Sequence, residues 1–300
     1  MRRIARATFL RRFVIPALLL LLAPVYSAAE SPATPAASSS AWKLAQSDPA
    51  ELIQRALQNE LANSYSFRAP VRYRLRKITA ESDTTKQIVE TSEGAIARLM
   101  AIGGRPLSPS QTQQEMDRLH ALQNDPAIQA HRRNKEMRDS RRVQKFMRLL
   151  PHAFLYRAAG SVQTKDGAMI RLTFEPNPIF SPPDFESRLL TGIHGEVWIS
   201  PLDLRIASIR ARTLKTVNFG WGILGSLYSG STMQVNQSKT SVCGWQMEHL
   251  RLHLEGKELM IKTVHTVVEE SATDYQPVPP SWTYRDAVRW LLELPAQSGK

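Results

Sequence analysis

The sequence predicts an α+β protein built on an antiparallel sheet, with an N-terminal helix, a basic helical insertion and a C-terminal helix. Residues 193–199 are apolar or small at every second position, which is typical of a strand with one buried face. Residues 200–203 have turn chemistry and residues 207–213 alternate again, so these two strands form a hairpin. The other predicted strands also follow one another through short turns, which favours antiparallel pairing.

The inward face of this hairpin carries small side chains. Gly195, Ala207 and Ala211 share that face by their alternation, while Glu196 and Trp198 fall on the opposite face. The small residues predict that something large packs against the hairpin: a helix, an aromatic side chain or a ligand.

Helix-start signals place the helices around this sheet. Asp48 followed by Pro49 and Glu51 indicates an N-cap with a capping box. Ser108 and Asp125 each precede a proline in the same way and start the two helices of the insertion. The last helix is predicted at residues 283–294, and the strands at residues 71–78, 86–91, 95–102, 153–159, 168–175, 193–199, 207–213, 232–240, 245–255 and 259–269.

The first 29 residues have the pattern of an export signal. Arginines precede an apolar run at residues 13–23, which is shorter than the ~20 residues needed to span a bilayer. The small residues Ser27 and Ala29 predict cleavage after Ala29. The pair Arg11-Arg12 leaves twin-arginine export open as an alternative to the general route. We therefore expect a protein of the periplasm or outer envelope.

Composition predicts how the rest of the chain is divided. Residues 30–46 form a Pro/Ala/Ser tract that we expect to be a flexible leader. Residues 47–296 are predicted to form a single β-rich domain with its helical insertion at residues 107–151. Cys243 is the only cysteine, so no internal disulfide can form, and we expect it to be a buried small hydrophobe.

The insertion concentrates positive charge. The chain carries 39 Lys and Arg against 27 Asp and Glu, a net charge of +12, and residues 132–148 are strongly basic. We expect the front half of this helix to project into solvent and attract an anionic membrane or cell-wall surface, with no specific nucleic-acid partner. A solvated helix without a partner is the open alternative. The predicted contacts are Arg132, Arg133, Arg138, Arg141 and Arg142.

Residues 218–226 contain the spacing Gly-x-Gly-x-x-Gly without the context of a dinucleotide site. That fingerprint needs a strand before it and a helix after it, whereas turn and strand residues follow here. We interpret the segment as a loop that places large side chains over one end of the sheet. There they either contact a ligand or fill the core. The candidate ligand-binding residues are Trp198, Phe219, Trp221, Leu224 and Tyr228.

No catalytic constellation is legible, so the sequence predicts no enzyme, no cofactor and no metal site. His-Glu-x-x-His, Gly-x-Ser-x-Gly and Walker motifs do not occur in it. His249 and His253 lie roughly 13 Å apart on one predicted strand, too far to share a metal ion. His265 is expected near His249 across a hairpin, as a surface pair. A hydrolase is the third-ranked hypothesis, because no nucleophile–base pair is legible and sequence alone cannot place two carboxylates in one cleft, as a glycosidase requires.

The segments Gly195-Glu196-Val197-Trp198-Ile199 and Leu204-Arg205-Ile206 resemble the periplasmic lipoprotein-carrier (LolA/LolB-like) superfamily. Its members run a Gly-x-x-Trp-Ile-type strand, a short turn and a basic-apolar return strand, and the likeness covers most of residues 50–268. The chain also resembles uncharacterised exported proteins of bacterial envelopes. The resemblance to the carriers implies a sheet curved into an open half-barrel, with helices over its concave side and an apolar cavity between them.

These observations lead to two functional hypotheses. The first is a non-enzymatic periplasmic binding protein that shelters an apolar ligand, a lipid or lipoprotein acyl chain, in its curved sheet. The alternative is an envelope interaction module without a ligand, which binds anionic surfaces or a protein partner through its basic helix.

Overall fold

Two helices open the part of the chain that the computed structural model describes, which comprises residues 35–65, 70–219, 225–258 and 262–295. Helix α1 spans Pro35–Ser47 and helix α2 spans Pro49–Tyr65. The predicted flexible leader is therefore wrong over residues 35–46. The tract orders because Ala41 and Ala45 are only 4% and 1% exposed in the main core, and alanine is the best helix former. The predicted signal peptide lies outside the described residues.

The strands form one antiparallel sheet, as predicted. Eleven of them lie in the order β4-β3-β2-β1-β13-β12-β11-β8-β7-β6-β5, and the short strands β9 and β10 extend it beside β12. Within the described residues β4 and β5 are not paired with each other, so the sheet stays open rather than closing into a barrel. The strands are β1 Val71–Thr79, β2 Asp83–Thr91, β3 Gly94–Ile102, β4 Arg105–Pro106, β5 Phe154–Thr164, β6 Gly167–Pro176, β7 Ile193–Ile199, β8 Ile206–Thr213, β9 Val217–Phe219, β10 Gly225–Leu227, β11 Thr232–Thr240, β12 Gly244–Glu258 and β13 Lys262–Pro277.

The helical insertion lies between β4 and β5. Helix α3 spans Pro109–Asn124 and helix α4 spans Pro126–Ala153. Their N-caps are the predicted ones, Ser108 with a capping box and Asp125. The front half of α4 does not project into solvent as expected, because Gln129 is buried and its amide donates to the carbonyl of Glu93.

Helices cover both faces of the sheet. The main core contains buried residues of α1, α2, the end of α4, the 3-10 helix Ser187–Gly192 and the strands β5–β8 and β11–β13. On the other face, β2 and β3 pack against α3 and helix α5, Tyr284–Glu293. The buried Arg98 fixes α5, since its guanidinium donates to the carbonyls of Leu291 and Leu294 at the helix C-terminus.

A smaller cluster surrounds an acidic group on β2. The hydroxyl of Tyr73 donates to Glu90 at 2.8 Å, and the Tyr73 ring stacks on Tyr275 with centroids 4.8 Å apart. Cys243 is buried in the same cluster, as expected for a small hydrophobe. Burial raises the pKa of Glu90 from its ordinary 4.5 to about 8.

The raised pKa of Glu90 predicts a pH-dependent stability. The unfolded carboxyl ionises near pH 4.5 and the folded one near pH 8, so the folded state holds the proton more tightly. The free energy of unfolding should therefore fall as pH rises through this window. We expect Glu90→Gln to gain stability relative to wild type between pH 5 and 9 in urea denaturation. Glu175→Gln, at an exposed position on β6, is the control that should keep the wild-type decline, and an equal decline in Glu90→Gln would contradict the assignment.

Candidate ligand-binding cavity

An apolar cavity of about 80 Å³, partly open to solvent, lies between the sheet and its covering helices. The sheet contributes its floor and the helices its roof. The floor residues are Phe154, Tyr156, Phe174, Ile193, Val197, Ile206, Ile209, Ala211, Leu227, Met233 and Leu254, and the roof residues are Ile53, Leu57, Phe146, Leu150, Leu189 and Leu190. Unfilled apolar space therefore lies between the sheet and the helices, where the resemblance to the carriers implies a cavity.

Four polar residues border the cavity: Arg212, Thr213, Ser231 and Thr232. Arg212 and Thr232 lie opposite each other on β8 and β11 and alternate with the cavity-lining Ala211 and Met233, so their side chains point to the other face of the sheet. The hydroxyl of Thr213 donates to the carbonyl of Tyr228 at 2.7 Å, so its hydrogen bond is satisfied within the protein. Any group that enters therefore meets a hydrocarbon interior.

Small residues shape the floor, as the hairpin pattern predicts. A Cβ atom added to Gly195 would lie 1.9 Å from the carbonyl oxygen of Arg210 and 2.9 Å from the ring of Phe174. The large group over Gly195 is therefore an aromatic side chain. Ala211 pairs with Gly195 and lines the cavity itself.

The expected position of Ala207 is wrong. The β7–β8 register shifts between Trp198 and Ile199, with Trp198 opposite Ser208 and Ile199 opposite Ile206. This bulge reverses the alternation, so Ile206 faces the cavity while Ala207 packs in a separate buried cluster with Met169 and Trp245.

A buried ion pair fixes helix α2 over the cavity. The guanidinium of Arg205 donates to Glu60 through two hydrogen bonds of 2.9 and 3.1 Å, and their side chains are 4% and 6% exposed. The backbone N–H of Ile206 donates to the same carboxylate at 3.0 Å, and Asn59 donates to the carbonyl of Leu204 at 3.2 Å. Since Ile53 and Leu57 precede Glu60 on the same helix, this pair sets the position of the roof.

Tyr156 joins the other roof helix to the floor. Its ring lines the cavity and its hydroxyl donates to the carbonyl of Leu150 at 3.0 Å, near the end of α4. Burial raises the pKa of Tyr156 well above its ordinary value, so the hydroxyl stays a neutral donor.

Of the predicted ligand-binding residues, the two whose side chains the structure describes, Trp198 and Tyr228, do not line this cavity. Trp198 packs with Met169, Ala207 and Trp245 on the opposite face, and the guanidinium of Arg210 lies 4.4 Å over its ring. Tyr228 is not among the residues that line the cavity. The side chains of Phe219, Trp221 and Leu224 lie outside the described residues.

The five predicted surface arginines separate into two groups. Arg133, Arg138 and Arg141 are exposed on α4. Arg132 and Arg142 turn toward the protein instead: Arg132 donates to the carbonyl of Ala95, and Arg142 lies 3.5 Å from Glu186. Burial lowers the pKa of Arg132, which fits a group withdrawn from solvent.

Sequence reasoning missed Glu60 and the aromatic floor residues Phe154, Tyr156 and Phe174. Glu60 is an acidic residue within the apolar stripe of its helix, four positions after Ala56, but its partner is 145 residues away along the chain. The aromatic residues belong to predicted strands, but no local signal distinguishes the lining of a cavity from a filled core.

The fold and the cavity define a class, an α+β protein with an open antiparallel sheet and an apolar site beneath covering helices. No protein-family model matches the chain, and no curated protein matches it. Among solved structures it is similar to a DUF1329 family protein from Desulfovibrio piger, with 8% identity, 78% of this chain and 93% of that chain covered, and a TM-score of 0.29. A likeness this distant carries no argument about function, and the resemblance to lipoprotein carriers stays a prediction.

We expect Glu60→Gln to destabilise the fold by about 3–5 kcal/mol, because it leaves the buried charge of Arg205 without an opposite charge. The measurement is the free energy of unfolding in urea. Glu51→Gln is the matched control, since its ion pair with Arg55 is exposed on the same helix and should contribute at most about 1 kcal/mol. Equal effects of the two variants would contradict the role of the Glu60–Arg205 pair.

Proposed function

We propose that the protein is a non-enzymatic binding protein of the periplasm whose cavity shelters an apolar ligand, a lipid or lipoprotein acyl chain. The observation that carries the proposal is the unfilled cavity, lined by aliphatic and aromatic side chains of both the sheet and the helices. Cavities lined predominantly by apolar and aromatic side chains are typical of small-molecule sites. The placement in the periplasm depends on the predicted export signal. None of the described helices is both long and apolar enough to span a membrane.

The size of the cavity limits what enters it without rearrangement. Its volume of about 80 Å³ is smaller than the roughly 150 Å³ of an engineered cavity that holds benzene. The end of an alkyl chain fits, and a longer chain extends through the open side or separates α2 and α4 from the sheet. Each buried methylene contributes about 0.8 kcal/mol, so even a short segment gives useful affinity.

Filling the cavity should weaken ligand binding without unfolding the protein. We expect Ala211→Phe to weaken binding of a fluorescent fatty-acid probe by more than about tenfold, because displacing two methylenes already costs that much. Titration of probe fluorescence measures the affinity, and native mass spectrometry of the wild type should detect co-purifying lipid.

Ala168→Phe places the same ring at an exposed position on β6 and is the matched control. It should bind the probe as the wild type does. Undiminished probe binding by a folded Ala211→Phe variant would contradict the cavity as the site. Circular dichroism and the thermal midpoint establish that both variants are folded.

The exposed arginines of α4 favour a second candidate function, docking on an anionic membrane. Three of its arginines are exposed to solvent: Arg133, Arg138 and Arg141. The other two predicted contacts, Arg132 and Arg142, bind groups within the fold. Basic side chains near an anionic lipid surface contribute about 1 kcal/mol each. This function is independent of a ligand in the cavity.

We expect the triple substitution of Arg133, Arg138 and Arg141 by Gln to weaken binding to vesicles containing phosphatidylglycerol by about 1 kcal/mol per arginine. Cosedimentation at two salt concentrations measures the effect, which should shrink at high salt because mobile ions screen exposed charges. The control triple replaces exposed arginines of other elements and removes the same net charge: Arg105, Arg157 and Arg188. Equal losses in both triples would indicate a general charge effect and contradict docking through α4.

A further inference from the structure

Two histidines and a glutamate meet on the surface of the β12–β13 hairpin. We propose that His253, Glu255 and His265 bind a divalent transition-metal ion such as Zn²⁺. One ligand atom from each residue lies within 4.8 Å of the others. The Nε2 atom of His253 is 3.5 Å from Glu255 Oε1, and the Nδ1 atom of His265 is 3.6 Å from the same oxygen.

Strand register brings these three residues together. His265 lies directly opposite Glu255, and His253 is two positions before Glu255, so all three side chains share one face. The two imidazole rings are 5.0 Å apart. The expected pairing of His265 with His249 is wrong, because His249 lies opposite Ser271. The register pairs His265 with Glu255 instead, which spacing along one strand does not reveal.

The donor set and the distances suit a first-row metal. Imidazole nitrogens and a carboxylate oxygen are ligands of Zn²⁺, at about 2.0–2.2 Å from the ion. Two ligands of a tetrahedral ion at those distances are about 3.3 Å apart, close to both nitrogen–oxygen separations here. The widest separation closes by rotation of exposed side chains, since Glu255 and His265 are exposed. Three protein ligands leave a further coordination position for water or an external donor.

The site lies behind the candidate cavity. Leu254 stands between His253 and Glu255 and lines the cavity from the opposite face of the same strand. A metal ion at this position joins β12 to β13 near the end of their hairpin, and so stiffens part of the cavity floor. The proposal does not depend on a ligand in the cavity.

Isothermal titration of the untagged full-length protein with ZnCl₂ tests the site. We expect one ion per chain, and no heat of binding with MgCl₂, which prefers oxygen ligands. His253→Asn, His265→Asn and Glu255→Gln should each weaken zinc binding by more than about tenfold, because loss of even an indirect supporting contact costs 10–100-fold.

His249→Asn is the matched control, since His249 is exposed on the same strand and is not one of the three ligands. It should bind zinc like the wild type, and imidazole NMR signals should shift on zinc addition for His253 and His265 but not for His249. Absence of zinc binding in the wild type, or undiminished affinity in the His253 and His265 variants, would overturn the proposal.

Discussion

The buried ion pair of Glu60 and Arg205 is the contact on which the arrangement of sheet and helices depends. Removing two charges from water is costly, and here the cost is offset by two hydrogen bonds between the side chains and a third from the N–H of Ile206. The turn that carries Arg205 is itself fixed, since Asp203 accepts a hydrogen bond from Trp245 at 2.9 Å. Leu204 has a φ of 48°, a conformation that L residues rarely adopt and that these contacts maintain.

The helical insertion covers the open edge of β3. Beyond its short pairing with β4, this edge presents backbone groups that water or another chain would otherwise bind. Leu99 donates its N–H to Glu115 at 2.7 Å, and Arg118 donates to the carbonyl of Ala97 at 2.6 Å. Arg132 donates in the same way to the carbonyl of Ala95. Some charged side chains of the insertion therefore stabilise the fold by bonding to the backbone of β3. Only the remaining arginines are available to a partner.

Local chemistry made much of this fold predictable. The alternation of β7 and the caps at Ser108 and Asp125 depend on neighbouring residues, and each was confirmed in the structure. The bulge beside Ala207 was not predictable, because one extra residue in a strand leaves no compositional signal. The site was less accessible to sequence reasoning than the fold, since the partner of Arg205 and the register of β12 and β13 depend on contacts distant along the chain.

The two faces of the central strands are packed to different degrees, and this difference bears on function. Behind the cavity, Trp198 and Trp245 fill their face with large rings. On the cavity face, Gly195 accommodates one ring, and Ala211 leaves space unfilled. The side chains around this space lack packing partners on one side, and a larger side chain at Ala211 would supply them. An apolar ligand in the cavity recovers the same contacts, so the unfilled space that weakens the free protein becomes a source of affinity.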